Sequence, residues 1–435
     1  MSFSIESVRG TWQHEGFQRY FRSTGWMFLS KVLSMVVSFF ATVFVARHLG
    51  PTSYGQLIYA VSFVGIFGFI ASLGIDSILY RELIKYPDRR DEFLGTAFTL
   101  KVAAGAITGI GTAAFAAFFA QDDVSRILIF ILSATFVFSS FQIVNLEFQA
   151  RVKSKFPSLI ILLINIILNS LKVLIVISGK GVIYLSLVLL LEPILYVFFY
   201  WFAYERNIGG KVSEWTFSMP TAKMLLADSW PLIFSSAFAL IYSRIDQVLI
   251  KHLIDAHAVG VYGAAVTVAE SWYFIPGIIV SSLFPAILNA KKTSEDLYRQ
   301  RLGRLAALLL LLAVGISIVT MIFAPLIMNI LYGAAFAGGI VILRIYVWGG
   351  IGIFLGTLAG NYLIAENYRD ILIWTSFVSM AGNVVLNLVW IPQYGIAGAA
   401  WATLVSYGLG PLVIFCFKRT RGTAIAAIRS VIRNA

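Results

Sequence analysis

Runs of roughly 20 apolar residues recur along the whole chain, each long enough to cross a ~30 Å hydrocarbon layer as a helix. Twelve such segments are read at 24–46, 55–78, 94–118, 127–148, 157–178, 182–203, 230–250, 261–285, 305–327, 340–364, 371–391 and 396–417. The connections between them are short and polar, and the longest, 204–229, has 26 residues. None is large enough to fold as a catalytic domain. The pattern therefore predicts an all-α polytopic membrane protein whose work is done inside the bilayer. An even number of crossings places both ends on one side.

Composition supports this class. Charged residues make up 12% of the 435, about half the share of a soluble domain, too little to cover a water-facing surface. The net charge of +12 would otherwise suggest nucleic acid as a partner, but its distribution explains it differently. Of the 33 lysines and arginines, 24 fall in the connections of one side and the two ends, 4 in the alternate connections and 5 within spans. The positive-inside rule puts the crowded side in the cytoplasm, and no nucleic acid is expected. Residues 1–23 mix Trp12, Phe17, Tyr20 and Phe21 with Arg9, Arg19 and Arg22, as an amphipathic segment lying in the headgroup layer does. A single cysteine, Cys416, excludes an internal disulfide framework. No zinc-protease, P-loop or nucleophile-elbow motif occurs, and the four histidines are scattered. Neither an enzyme, a metal site nor an organic cofactor is expected.

Two short patterns occur twice. Arg47-His48-Leu49 leads through a short loop to Gly55, and Lys251-His252-Leu253 leads to Gly260. Asn165 and Asn169 bracket three apolar residues in the fifth span, as Asn383 and Asn387 do in the eleventh. The offsets, 204 and 218 residues, are similar. They predict two six-helix lobes, 24–203 and 230–417, joined by a cytoplasmic linker at 204–229 and followed by a basic tail at 418–435. Parallel repeats of this kind are a transporter architecture.

Ten ionisable residues lie in or at the ends of spans: Lys31, Asp76, Lys101, Glu147, Lys172, Glu192, Arg244, Asp246, Glu270 and Arg344. A charge at mid-span costs roughly 2.5–3.5 kcal/mol on insertion scales, so each needs a partner or a water-filled cavity. Lys31, Ser34, Ser38 and Thr42 share one helical face. So do Lys101, Gly105, Thr108 and Thr112, then Asn165, Asn169 and Lys172, and finally Ser376, Ser379, Asn383 and Asn387. Such stripes either line a cavity or join neighbouring helices by hydrogen bonds. Arg244 and Asp246 are two apart and cannot face each other on one helix. Pro276-Gly277 is a candidate hinge, with a static kink as the alternative. Gly352, Gly356 and Gly360 form a doubled small-residue repeat that predicts a close helix contact.

Residues 361–408, above all Asn383 onward through IPQYGIAGAAWATLVS, resemble the penultimate-to-last-span signature of polysaccharide flippases. These form the polysaccharide-transporter branch of the multidrug/oligosaccharidyl-lipid/polysaccharide exporter superfamily. ARHLGPTSYGQL at 46–57, SWPLIFSSAFALIYSRIDQVLI at 229–250 and AVGVYGAA at 258–265 match as well, so the resemblance spans essentially the whole chain. It implies transport of an undecaprenyl-pyrophosphate-linked oligosaccharide across the bacterial inner membrane for O-antigen, lipopolysaccharide, capsule or exopolysaccharide synthesis. In such a family a cavity between two lobes alternates its access, and its walls here would include Lys31, Arg244, Glu270, Asp246 and Asp76. Lys101, Lys172 and Arg344 are further cavity candidates. A proton or sodium ion would drive the cycle through Glu270, Asp246 or Glu192. Glycosyltransferases and a polysaccharide polymerase are the candidate partners. Two alternatives remain open: a multidrug antiporter of the same superfamily, and a membrane oligosaccharide polymerase or ligase.

Overall fold

The structure is a computed structural model that describes residues 15–432; residues 1–14 of the expected amphipathic segment, and the last three of the tail, lie outside the described residues. Every regular element described is helical. In chain order the α-helices begin with α1 (Glu15–Ile66), α2 (Gly68–Ser72), α3 (Asp76–Lys85), α4 (Arg90–Phe119), α5 (Asp123–Ser133) and α6 (Thr135–Phe138). There follow α7 (Ile143–Ala150), α8 (Lys155–Ile177), α9 (Val182–Asn207), α10 (Met219–Leu253), α11 (Ala256–Glu270) and α12 (Phe274–Lys291). The last are α13 (Glu295–Leu331), α14 (Gly339–Tyr346), α15 (Gly349–Ala365), α16 (Arg369–Tyr394), α17 (Ile396–Leu412) and α18 (Lys418–Ile432).

Among the described residues, 11 helical stretches are long and apolar enough to cross a membrane, one fewer than the sequence pattern predicts. The difference lies in α1. Its apolar part, Leu29–Ile66, has 38 residues, which at a 1.5 Å rise would be ~57 Å long, nearly twice a ~30 Å hydrocarbon core. The chain breaks within it at Gly50 (φ 74°, ψ 169°), followed by Pro51. A left-handed φ is open to glycine without penalty, and proline, lacking an N–H, fits just after such a break. The first crossing ends there and the second begins. The second continues through α2 and α3, past breaks at Phe67 and at 73–75, where Leu73 (φ 53°) and Gly74 (φ 61°) are left-handed. Twelve crossings are thus built from eleven apolar helical stretches.

The chain forms two compact units. The first comprises residues up to 45 together with 67–233; the second comprises 46–66 together with 234–435. Residues 46–66 therefore pack with the C-terminal half, although the sequence repeat places them in the N-terminal lobe.

The first unit is built around Phe93, Leu94, Phe148 and Tyr204, all fully buried. The expected linker at 204–229 is largely absorbed into α9 and α10, leaving only 208–218 outside α-helix. That remnant is fastened to its own unit. The Thr216 amide donates to the Asp91 carbonyl at 3.2 Å, and the Ser218 amide to the Thr96 hydroxyl at 3.0 Å. A Cβ on Gly95 would come within 2.5 Å of the Thr216 carbonyl oxygen, so the close approach requires glycine. Trp215 stacks on Phe141 at 5.7 Å, and its indole N–H donates to the Tyr204 hydroxyl at 3.1 Å. A tryptophan held on both its apolar face and its N–H is a strong anchor.

In the second unit, α11 is rich in Ala and Gly, and small residues let helix backbones approach closely. Pro51 and Gly55 pack directly on Ala256 and Gly260. The Ser62 hydroxyl donates to the Gln247 side-chain oxygen. These contacts explain why 46–66 belong to this unit.

Candidate functional site

The second unit contains a chain of polar side chains supplied by α10, α11, α14, α16 and α17. Asp246 on α10 is only 2% exposed, a position that would be costly without donors. It has three. The Gln247 amide donates at 2.8 Å, the Tyr262 hydroxyl of α11 donates, and the Thr403 hydroxyl of α17 lies at 3.4 Å. The network continues into α16, where the Asn383 amide donates to the Thr403 oxygen at 3.4 Å. Asn387 in turn donates to the backbone oxygen of Asn383 at 2.9 Å and to its side-chain oxygen at 3.0 Å. The Asn387 Oδ1 is buried and, among the described residues, accepts no hydrogen bond.

A second carboxylate sits beside the first. Glu270, at the end of α11, accepts from the Tyr346 hydroxyl of α14 at 2.9 Å. The Tyr346 and Tyr407 hydroxyls lie 3.4 Å apart. The Tyr262 and Tyr346 rings meet edge to face at 6.1 Å, joining the two carboxylate groups. Tyr242 and Tyr273 approach Tyr407 at 5.6 and 6.4 Å. Arg244 interacts electrostatically with both Asp246 and Glu270. Among the described residues it makes no hydrogen bond and no ion pair. The cluster thus has two acids, one uncommitted guanidinium and a wall of tyrosine hydroxyls. Such a site can bind a cation or a proton between oxygen atoms and offer a bidentate donor to an anion.

The remaining sequence candidates are placed as follows. Lys101 and Asp76 meet each other at 2.5 Å, with the lysine side chain 9% exposed and the aspartate 52%. Glu147 is held by Arg151 one turn later. Lys172 on α8 and Glu192 on α9 interact electrostatically. Asn165 donates to the Ser38 hydroxyl at 2.8 Å, so that stripe joins α8 to α1 within the first unit. Lys31 and Arg344 are exposed, and the Arg344 guanidinium reaches the Met321 carbonyl at 3.4 Å. The break between α11 and α12 falls at 271–273. Pro276 stands in the first turn of α12, where no intrahelical N–H is needed, and Gly277 has open space around it. The doubled glycine repeat divides: a Cβ at Gly352 would lie 2.2 Å from the Tyr407 carbonyl oxygen, whereas one at Gly360 would meet nothing within 4 Å.

The pattern of charged residues does not reveal the tyrosines that complete the cluster, Tyr262, Tyr346 and Tyr407, nor Thr403 and Gln247. The signal was present as buried-span tyrosines, whose hydroxyls need partners in an apolar medium. Their common destination depends on packing between helices far apart in sequence.

Comparison with known proteins agrees with this architecture. Residues 44–340 match the model of a family described as polysaccharide biosynthesis protein. A capsular polysaccharide biosynthesis protein of Staphylococcus aureus is 20% identical over 92% of this chain and 99% of its own length. A probable low-salt glycan biosynthesis flippase of Haloferax volcanii is 24% identical over 45% of this chain, a match that spans only 42% of that protein. Among solved structures, an inward-facing multidrug-resistance transporter superposes with a TM-score of 0.73 at 15% identity, covering 90% of this chain and 95% of its own. A lipid II flippase in an inward closed conformation gives 0.69 at 17% identity, with 93% and 90% covered. At these identities the structures establish the fold, two lobes of membrane-spanning helices. With more than half of its residues matched by the family model, the chain belongs to the polysaccharide biosynthesis protein family.

Proposed function

We propose that this protein is a flippase that carries lipid-linked oligosaccharide repeat units across the bacterial inner membrane by alternating access. The cargo would be the undecaprenyl-pyrophosphate-linked unit of an O-antigen, capsule or exopolysaccharide, and both chain ends would lie in the cytoplasm. The observation that carries the reading is the buried Asp246–Tyr262–Thr403 cluster with Glu270 and Arg244 beside it. A structural bundle does not require such groups in its apolar layer. Arg244 supplies the group suited to a diphosphate. The oxygen set around Asp246, from Tyr262 and Thr403, suits a coupling proton or sodium ion. Family membership and the named relatives support polysaccharide precursors over drugs as cargo.

The test is a chromosomal deletion in a host whose surface polysaccharide can be measured. Loss of surface polysaccharide with lipid-linked repeat units accumulating on the cytoplasmic leaflet, both reversed by the wild-type gene, supports the reading. Unaltered polysaccharide together with new drug sensitivity would overturn it in favour of the multidrug alternative. Asp246→Asn should insert normally yet lose the dependence of transport on a sodium or proton gradient. Unchanged gradient dependence would remove Asp246 from ion coupling.

A further inference from the structure

The second unit also holds a cavity of about 260 Å³ that shares Tyr242 and Tyr407 with the cluster above but has none of Asp246, Glu270 and Arg244 in its walls. Its walls come from α10, α15, α16 and α17, with Tyr242, Thr357, Gly360, Ser376, Ser379 and Tyr407 among them. We infer that this cavity is a subsite for one sugar ring of the transported oligosaccharide; the inference rests on the flippase reading and specifies its substrate chemistry.

Three observations carry it. The first is the lining chemistry. Thr357 and Ser376 donate to carbonyls one turn back in their own helices, at 2.8 and 3.2 Å, leaving their oxygens as acceptors. Tyrosines Tyr242 and Tyr407 add ring faces and hydroxyls. A sugar ring presents alternating hydroxyls and C–H faces, and needs donors, acceptors and an aromatic surface together. The second is Ser379, only 6% exposed, whose hydroxyl lines the cavity and makes no hydrogen bond among the described residues. With no protein partner, its donor and acceptor sites stay open to a ligand hydroxyl. Glycine at 410 leaves room for that oxygen, since a Cβ there would come within 2.6 Å of it. The third is space: Gly360 leaves its wall open, with nothing within 4 Å of where a Cβ would stand.

A neighbouring cavity of about 380 Å³ sharpens the assignment. It shares Ala359 and Pro411 with the first, yet its other walls are chiefly Leu, Ala, Ile and Phe side chains. A hydrocarbon chain would prefer that one. The first cavity mixes hydroxyl groups with apolar surface, as a sugar ring with its hydroxyls and C–H faces requires.

The experiment uses the purified full-length protein in detergent and saturation-transfer NMR with methyl glucoside, methyl galactoside and methyl N-acetylglucosaminide. At least one glycoside should receive transfer at its ring protons. That transfer should fall at least threefold in Gly360→Leu, which fills the cavity, and measurably in Ser379→Val. Thermal unfolding and gel-filtration behaviour of both variants should match the wild type; if Gly360→Leu fails to fold, Ser379→Val and Thr357→Val carry the test. No transfer to any glycoside, or transfer undiminished in the folded variants, overturns the subsite. Complementation of the deletion strain separates the two readings. Export restored by a protein that binds no glycoside refutes the subsite and keeps the flippase, whereas failure to restore export refutes the flippase itself.

Discussion

Gly55 and Gly260 hold reciprocal positions in the two halves of the repeat, and their backbones touch. A Cβ on Gly55 would lie 1.8 Å from the Ala256 carbonyl oxygen, and one on Gly260 would lie 1.9 Å from the Pro51 carbonyl oxygen. A contact in which each partner makes the same interaction is what a two-fold relation between repeats produces. Alanine at either position should therefore destabilise by at least ~1–3 kcal/mol, the cost of overpacking. Gly315→Ala is the control, because nothing lies within 4 Å of its Cβ position and alanine favours helix. Thermal unfolding in detergent checks the pair; equal stability of Gly55→Ala and Gly315→Ala would contradict the close approach.

The Asp76–Lys101 ion pair makes a different kind of prediction. Removing Asp76 leaves the Lys101 ammonium unpaired, and because Asp76 is half exposed the loss should fall below the ~3–5 kcal/mol of a fully buried pair. Asp76→Ala should lower the amount of folded protein, and Lys101→Met in the same chain should restore it. A double variant that is abundant and exports normally assigns the pair to structure. If it is abundant but inactive, the two residues contact cargo.

Among the described residues Arg244 is committed to no ion pair, so its loss should affect transport more than folding. Arg244→Ala should insert at wild-type abundance and accumulate lipid-linked units on the cytoplasmic leaflet. Arg244→Lys, which keeps the charge without the planar fork, should fall between that variant and the wild type. Wild-type export from both would return Arg244 to a structural role.

The fastening of 208–218 can be measured by proteolysis. Trp215→Ala removes the stack on Phe141 and the bond to Tyr204; because Trp215 is partly buried, the loss should fall below the ~3–5 kcal/mol of a fully buried aromatic. Trypsin should then cut at the exposed Lys211 several-fold faster than in the wild type. An unchanged cleavage rate would mean that the backbone bonds of Thr216 and Ser218 hold the segment alone.

The sequence by itself determined the membrane class, the helical architecture and the repeat, because a bilayer forces apolar length and internal hydrogen bonding onto any crossing segment. The asparagine pairs show how far that goes. Asn169 bonds to the Asn165 carbonyl at 2.8 Å and to its side chain at 3.0 Å, and Asn387 treats Asn383 in the same way at 2.9 and 3.0 Å. Those bonds are local to one helix, so spacing reveals them. Their outward partners are not local: Asn165 reaches Ser38, while Asn383 reaches Thr403 and through it Asp246. Lys101 and Asp76 are both legible as costly charges, but only packing shows that they neutralise each other. Tertiary structure also decided that Gly352 closes a helix contact while Gly360 opens a cavity. One spacing served both, because a glycine's role depends on what the neighbouring helix brings to it.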